Sequence, residues 1–146
     1  MSAMGDTGKS GPGDWEFSLE MGVRDYELDL QGIVNNANYL HYFEHARHAF
    51  ILSRGVDFAA LHAAGIDPVV YRAEVDYREA LRSGDAFIVK VRAHREGRLK
   101  LVFEESLVNS SGREAAAGRF VTAMVRGGRP CPPPPEVLLA LEKSPD

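Results

Sequence analysis

The chain predicts an α+β fold: one long helix laid against an antiparallel sheet of about five strands. Three observations point there. The apolar period begins at two, switches once to the helical 3.6, and then returns to two. The helical stretch, residues 38–54, contains neither Pro nor Gly. The later alternating runs are separated by short turns rich in Gly, Asp, Asn and Ser, the spacing of hairpins rather than of parallel crossovers.

In order along the chain, residues 1–14 are rich in Gly and Ser, have little to bury, and are expected to be disordered. Trp15, Phe17, Leu19 and Met21 fall at alternate positions, a half-buried strand over 15–23. Tyr39, Leu40, Phe43, Ala46, Phe50 and Ile51 then recur at helical spacing, with His41, His45 and His48 on the other side. Asn36 or Asn38 can cap this helix and Gly55 suits a left-handed stop. A loop is expected over 56–67 and a strand over 69–77. Phe87, Val89, Val91 and Ala93 alternate with Lys90, Arg92 and His94, a strand with one wet face. Leu99, Leu101, Phe103 and Leu107 alternate after the Glu96-Gly97 turn. Beyond Asn109-Ser110-Ser111-Gly112, residues 115–125 form a last strand whose small side chains let a helix approach closely. The folded domain is expected over 15–129. Residues 130–146 read as a Pro-rich tail with room for a short helix at 137–141.

At 146 residues the chain holds one ordinary domain. A net charge of −4 gives no general attraction to nucleic acid or anionic membrane, so an anionic ligand needs a local basic patch. The single cysteine, Cys131, excludes an intramolecular disulfide and a multi-cysteine metal site. The first fourteen residues lack the apolar core of a secretion signal, and no run approaches the roughly 18–20 apolar residues of a membrane span. A cytoplasmic location is the expectation. No Gly-rich phosphate loop and no internal repeat occurs.

Residues 24–39 carry the chemistry. Asp29 stands on a short turn containing Gly32, and the helix begins about seven residues later. The first N–H groups of a helix have no intrahelical partner, and that end of the helix is positive. An ionisable acid beside them makes a small reaction centre for attack on a carbonyl. Taken alone, Asp at the first and Gly at the fourth position read first as a type I turn, and the full motif reverses that preference. Asn35 and Asn36 suit capping, and Glu44 and Arg47 can pair along the helix. His41-Tyr42-Phe43-Glu44-His45 fits the H-x-x-E-H pattern of zinc enzymes. No second helix offers a third ligand, so these side chains are read as solvated or packed on another subunit. Neither metal nor cofactor is expected. Lys90, Arg92, Arg95, Arg98 and Lys100 cluster around one turn, as the wet face of a hairpin or as an anion patch.

The strand, D-x-x-G-x-V turn, helix and four strands resemble the hotdog-fold acyl thioesterases of the 4-hydroxybenzoyl-CoA thioesterase type. The match falls in register at Asp29, Gly32, Val34, Tyr39, Glu44 and Arg47. Arg-Asp-Tyr-Glu-Leu-Asp followed by Gly-Ile-Val-Asn-Asn-Ala is most similar to the branch containing plant plastid acyl-ACP thioesterases. Ala80-Leu81-Arg82-Ser83-Gly84-Asp85 matches the turn before that family's third strand. The resemblance covers residues 16–129.

It implies a hotdog fold, with the helix wrapped by a curled sheet, and hydrolysis of an acyl thioester of coenzyme A or acyl carrier protein. Asp29 would serve as nucleophile or general base, and the backbone N–H of Asn36 would polarise the carbonyl. Gly32, Val34 and Tyr39 would lie on the substrate. Basic residues of the hairpin contact the nucleotide in relatives, which points to Arg95, Arg98 and Lys100. The site would form between subunits of a homodimer or homotetramer. A non-catalytic acyl-thioester-binding protein of this fold is an alternative, against which the retained Asp29 argues. A hotdog hydratase needs a histidine beside the acid, and no His lies between Asp29 and His41. The acyl group stays open among aromatic, medium-chain and β-keto classes.

Overall fold

The alternating residues ahead of the motif form β1 (Phe17–Gly22), and the motif leads into α1 (Asn36–Ser53). After it come α2 (Phe58–Ala63), β2 (Ile66–Tyr77), β3 (Ala86–Glu96), β4 (Lys100–Asn109), β5 (Glu114–Arg126), β6 (Arg129–Cys131) and α3 (Pro135–Glu142). The computed structural model describes residues 14–142, so the expected disorder of 1–14 lies outside the described residues but for Asp14. The sheet runs β1-β3-β4-β5-β2, every neighbouring pair antiparallel. This is the α+β arrangement that the periodicity predicts.

Three departures from the expected elements have local causes. Residues 56–67 are not all loop. Asp57 accepts hydrogen bonds from the Ala59 and Ala60 N–H groups at 2.9 and 3.1 Å, and that cap starts the six-residue helix α2. The sheet has six strands, not about five. Gly127 and Gly128 both take positive φ and fold the chain back, so that Arg129–Cys131 pairs with Met124–Arg126. The same stretch of β5 pairs on its other side with Ile66–Pro68 of β2, so β6 occupies the side that β4 leaves beyond Lys100. Third, the segment read as a tail is packed: α3 buries Val137 and Ala140 in the same core as α1.

α1 begins at Asn36, two residues earlier than the periodicity indicates, because Asn35 rather than Asn36 or Asn38 is its cap. Its buried stripe is Tyr39, Tyr42, Phe43, Ala46, Arg47, Phe50 and Ile51, while Leu40, His41, Glu44 and His45 face outward. The small residues of β5 do receive this helix. Ala115 and Ala116 are fully buried, and a Cβ on Gly118 would lie 3.4 Å from the Phe43 ring and 2.5 Å from that of Phe120.

Arg47 does not pair with Glu44. It crosses to β4, where its Nη1 donates to Glu105 Oε2 at 3.0 Å, and its guanidinium lies 4.4 Å over the Phe120 ring. Residue 47 is one position past Ala46 on the buried stripe, so its side chain is directed at the sheet rather than along the helix surface. Glu105 Oε1 is buried without a hydrogen bond in the described residues. Burial raises the Glu105 carboxyl to about 8, against the opposing attraction of Arg47. An unfolded glutamic acid gives up its proton near 4.5. The native form therefore holds an extra proton between those pH values, and this group's contribution to stability declines as pH rises through that window. In thermal melts across pH 4 to 9, the stability of the wild type relative to Glu105→Gln is expected to fall steadily over that interval. A difference that grows with pH would show that Arg47 keeps Glu105 ionised throughout.

Candidate active site

After β1 the chain makes one 3-10 turn, Asp25–Glu27, and then folds back so that Leu28 bridges Val34. Inside that bridge the Asp29 carbonyl accepts from the Gly32 N–H at 3.0 Å, and the Asp29 N–H donates to the Ile33 carbonyl at 2.8 Å. Gly32 sits at φ +79°, a conformation that side chains with a Cβ disfavour. Asp29 Oδ1 accepts from the N–H groups of Gln31 (2.8 Å) and Ile33 (3.3 Å). One carboxylate oxygen thus closes the turn, as short acidic side chains do. The other, Oδ2, has no partner among the described residues. Asp29 is therefore the turn residue that its spacing suits, with its second carboxylate oxygen left uncommitted among the described residues.

This loop is anchored on two sides. Ile33 bridges Arg82, and the Val34 N–H donates to the Leu81 carbonyl at 2.8 Å, which fixes it to the turn entering β3. The Asn35 N–H and the Asn38 Nδ2 both donate to the Glu27 carbonyl, at 3.0 and 2.9 Å, which fixes it to the start of α1. Asn35 then satisfies two donors of the first helical turn: its Oδ1 accepts from Ala37 N–H at 2.8 Å and its carbonyl from Asn38 N–H at 2.9 Å. The Asn36 N–H is left without a partner among the described residues, as the first N–H of a helix is unless something outside the helix meets it. Leu28, Asp29, Leu30, Gln31 and Asn35 line one shallow, open dish.

The arrangement joins an acceptor oxygen to the positive end of an 18-residue helix. An oxygen on that dish can attack, or take a proton from water, while a helix N–H meets the charge that builds on a carbonyl. One well-placed donor of that kind is typically worth about 3–4 kcal/mol in the transition state.

The other residues singled out from the sequence are distributed unevenly. Gly32 is exposed beside Asp29. Val34 and Tyr39 are each 4% exposed and pack in the core, so in the single chain neither offers a surface to a ligand. The Tyr39 hydroxyl donates to the Glu79 carbonyl at 3.4 Å. Arg95, Arg98 and Lys100 are exposed at the β3–β4 hairpin, where Arg95 donates to the Arg98 carbonyl at 2.9 Å. That hairpin is at the far end of β3 from the Asp29 loop, roughly 30 Å along the strand by its rise per residue. His41, Glu44 and His45 are exposed along α1, and no cluster of metal-binding side chains forms among the described residues. No described helix is long and apolar enough to cross a membrane. Sequence reasoning passes over Glu27 and Tyr42, both buried between the loop and the helix. The spacing of Tyr42 three residues after Tyr39 was the available signal.

Residues 23–141 match the family model described as the thioesterase-like superfamily. Over 107 residues the chain is 36% identical to a chloroplastic acyl-acyl carrier protein thioesterase of Arabidopsis thaliana, ATL3, which covers 73% of this chain and 56% of that protein. The chain therefore spans little more than half the length of this plant relative. Among solved structures, a hypothetical protein from Aquifex aeolicus superposes with a TM-score of 0.81 at 30% identity, covering 86% of this chain and 99% of the other. A thioesterase from Thermus thermophilus, complexed with coenzyme A and Zn, superposes with a TM-score of 0.76 at 33% identity, covering 89% and 100%.

Proposed function

Because the chain belongs to the thioesterase-like superfamily, we propose that it hydrolyses acyl thioesters of coenzyme A or acyl carrier protein to the free acid and thiol. The observation that carries this reading is that Asp29 Oδ2 and the Asn36 N–H, at the two ends of one short anchored loop, are both without a partner among the described residues. A thioester carbonyl placed on the dish accepts from the Asn36 N–H. Its carbon is attacked by Asp29 Oδ2, or by water whose proton passes to Asp29. The C–S bond then breaks, and the thiolate, a good leaving group, departs without a dedicated acid. Where Asp29 itself has attacked, water opens the resulting mixed anhydride, releasing the acid and restoring the Asp29 carboxylate. Nothing in this sequence of steps calls on a metal or cofactor.

The site is shared between subunits in this reading. β2 is an edge strand twelve residues long, exposed along most of its length, with Val69, Val70 and Tyr71 open to solvent. Such an edge is a template for a further strand. Its last residue, Tyr77, donates to the Asn36 carbonyl at 3.3 Å, so a second copy paired along β2 lies next to the helix N-terminus. Leu30, fully exposed beside Asp29, gains cover there. In the same reading Arg95, Arg98 and Lys100, far from Asp29 of their own chain, meet the nucleotide of a substrate held by a neighbouring subunit.

Three measurements test these statements. Asparagine keeps the Oδ1 acceptor that closes the turn, so Asp29→Asn is expected to leave the melting temperature unchanged and to lower kcat on acyl-CoA about a hundredfold or more. A variant retaining more than a tenth of wild-type kcat would leave Asp29 as a turn residue only. Light scattering over a concentration series is expected to give a dimer or tetramer, whereas a fully active monomer of 16.1 kDa would end the shared-site reading. Replacing Arg95 and Arg98 with Ala is expected to raise KM for acyl-CoA much more than it lowers kcat, and to leave an acyl-pantetheine thioester unaffected. Equal losses on both substrates would mean that the hairpin supports the fold instead.

A further inference from the structure

Between the Asp29 loop and α1 lies a buried acid that the chemistry above does not use. The Glu27 carboxylate receives two donors on one oxygen: the Tyr42 hydroxyl at 2.7 Å and the Arg24 N–H at 2.8 Å. The Arg24 guanidinium stands 3.7 Å from its other oxygen. Tyr42 is in the second turn of α1, and Arg24 is the residue from which the 3-10 turn before Asp29 starts. The backbone carbonyl of the same Glu27 holds the Asn35 N–H and the Asn38 side chain. One residue, two positions ahead of Asp29, is therefore attached to α1 at three points: its N-cap, its first turn and its second turn.

We propose that Glu27 is a positioning residue, whose carboxylate sets the distance between Asp29 and the first N–H of α1 by clamping the loop to Tyr42. This rests on the hydrolase reading given above. The reason for such a clamp is geometric. The nucleophile and the carbonyl donor are on different segments, joined only by the 29–35 loop, and two of the loop's own residues, Leu30 and Gln31, are exposed to solvent. The bridges of Ile33 and Val34 to residues 81 and 82 fix the loop to the sheet, but they leave its separation from the helix open. The Glu27 contacts are the ones that span this gap. Tyr42 is suited to its part because burial, reinforced by the Glu27 carboxylate, holds its hydroxyl far above the ordinary tyrosine range, so it stays a donor at every working pH. Its ring is held in turn by Phe87, at a centroid distance of 4.7 Å, and by Tyr39 at 6.0 Å. The donor is thus fixed by packing on both sides.

Three variants separate clamping from bulk stability. Glu27→Ala removes the acceptor. Glu27→Gln keeps a carbonyl oxygen for Tyr42 and Arg24 while removing the charge. Tyr42→Phe removes one hydroxyl at constant shape. A displacement of about 1 Å at a reacting pair can cost on the order of a hundredfold in rate. Glu27→Ala is therefore expected to lower kcat at least thirtyfold with KM within threefold, Tyr42→Phe to lower it about tenfold, and Glu27→Gln to retain half or more. Amide hydrogen exchange read in parallel at Asn35 should quicken at least tenfold in Glu27→Ala and not in Glu27→Gln, while the Leu107 amide in β4 stays unchanged. If kcat stays within threefold of wild type in both Glu27→Ala and Tyr42→Phe, or if Gln is as poor as Ala, the clamp is overturned. If the wild type hydrolyses no thioester, the hydrolase reading fails by itself. The exchange at Asn35 then decides the clamp alone, and equal rates in all variants reject it.

Discussion

Two donors from the start of α1, the Asn35 N–H and the Asn38 amide, meet on the single carbonyl oxygen of Glu27. Through that oxygen the loop bearing Asp29 becomes continuous with the helix whose positive end it faces. A carboxylate on a five-residue turn is otherwise an ordinary surface feature, with one oxygen already committed to closing its own turn. Its second oxygen and the Asn36 N–H, both without a partner among the described residues, are at the two ends of a stretch that Glu27 ties to the helix. Groups held in place before a carbonyl arrives have less reorganisation left to do.

The sheet supplies the rigidity. α1 rests on β1, β3, β4 and the small-residue stretch of β5, and its aromatic stripe interlocks with theirs: Phe43 with Phe120, Phe50 with Phe17 and Phe103, Tyr42 with Phe87. Gly118 leaves room for the Phe43–Phe120 contact, since a side chain there would meet the Phe120 ring. The Arg47–Glu105 pair crosses the same interface, and its desolvation offsets much of what its attraction contributes. Its value is directional, because a charged fork needs one helix rotation, whereas apolar packing tolerates several.

The two edges of the sheet differ in kind. β1 is a short edge whose polar side chains alternate with its apolar ones. β2 is long, apolar at its centre and broken by a bulge at Tyr71, where the register with β5 slips between Val70 and Arg72. A bulge re-aims side chains on a strand that would otherwise run flat. It places an aromatic at the middle of an open edge, on the strand that ends at the mouth of the candidate site. The basic hairpin, with Arg95, Arg98 and Lys100 exposed, is at the opposite end of β3 from the Asp29 loop.

Much of this was legible without coordinates. Change of period fixed α1 and the strands to within a few residues, because a half-buried face imposes its own repeat on whatever segment carries it. The spacing of Asp29, Gly32 and the helix start was legible for a similar reason, since turn closure and helix initiation are local and depend on residues only a few positions apart. β6 and α2 were missed because a triplet with Pro at its centre and a six-residue helix carry too few residues to show a period, and each exists only because β5 or Asp57 offers it donors and acceptors. The partner of Arg47 could not be read at all. Glu44 and Glu105 are both acids within its reach on paper, and the choice between them is made by which way the helix is rotated against a sheet 58 residues further on. Sequence alone thus determined the elements and the residues that could do chemistry, which are matters of local bonding and repeat. Tertiary structure decided which buried groups meet, that Glu27 meets Tyr42 and that Arg47 meets Glu105 rather than Glu44, because those contacts depend on the relative placement of segments that no local pattern encodes.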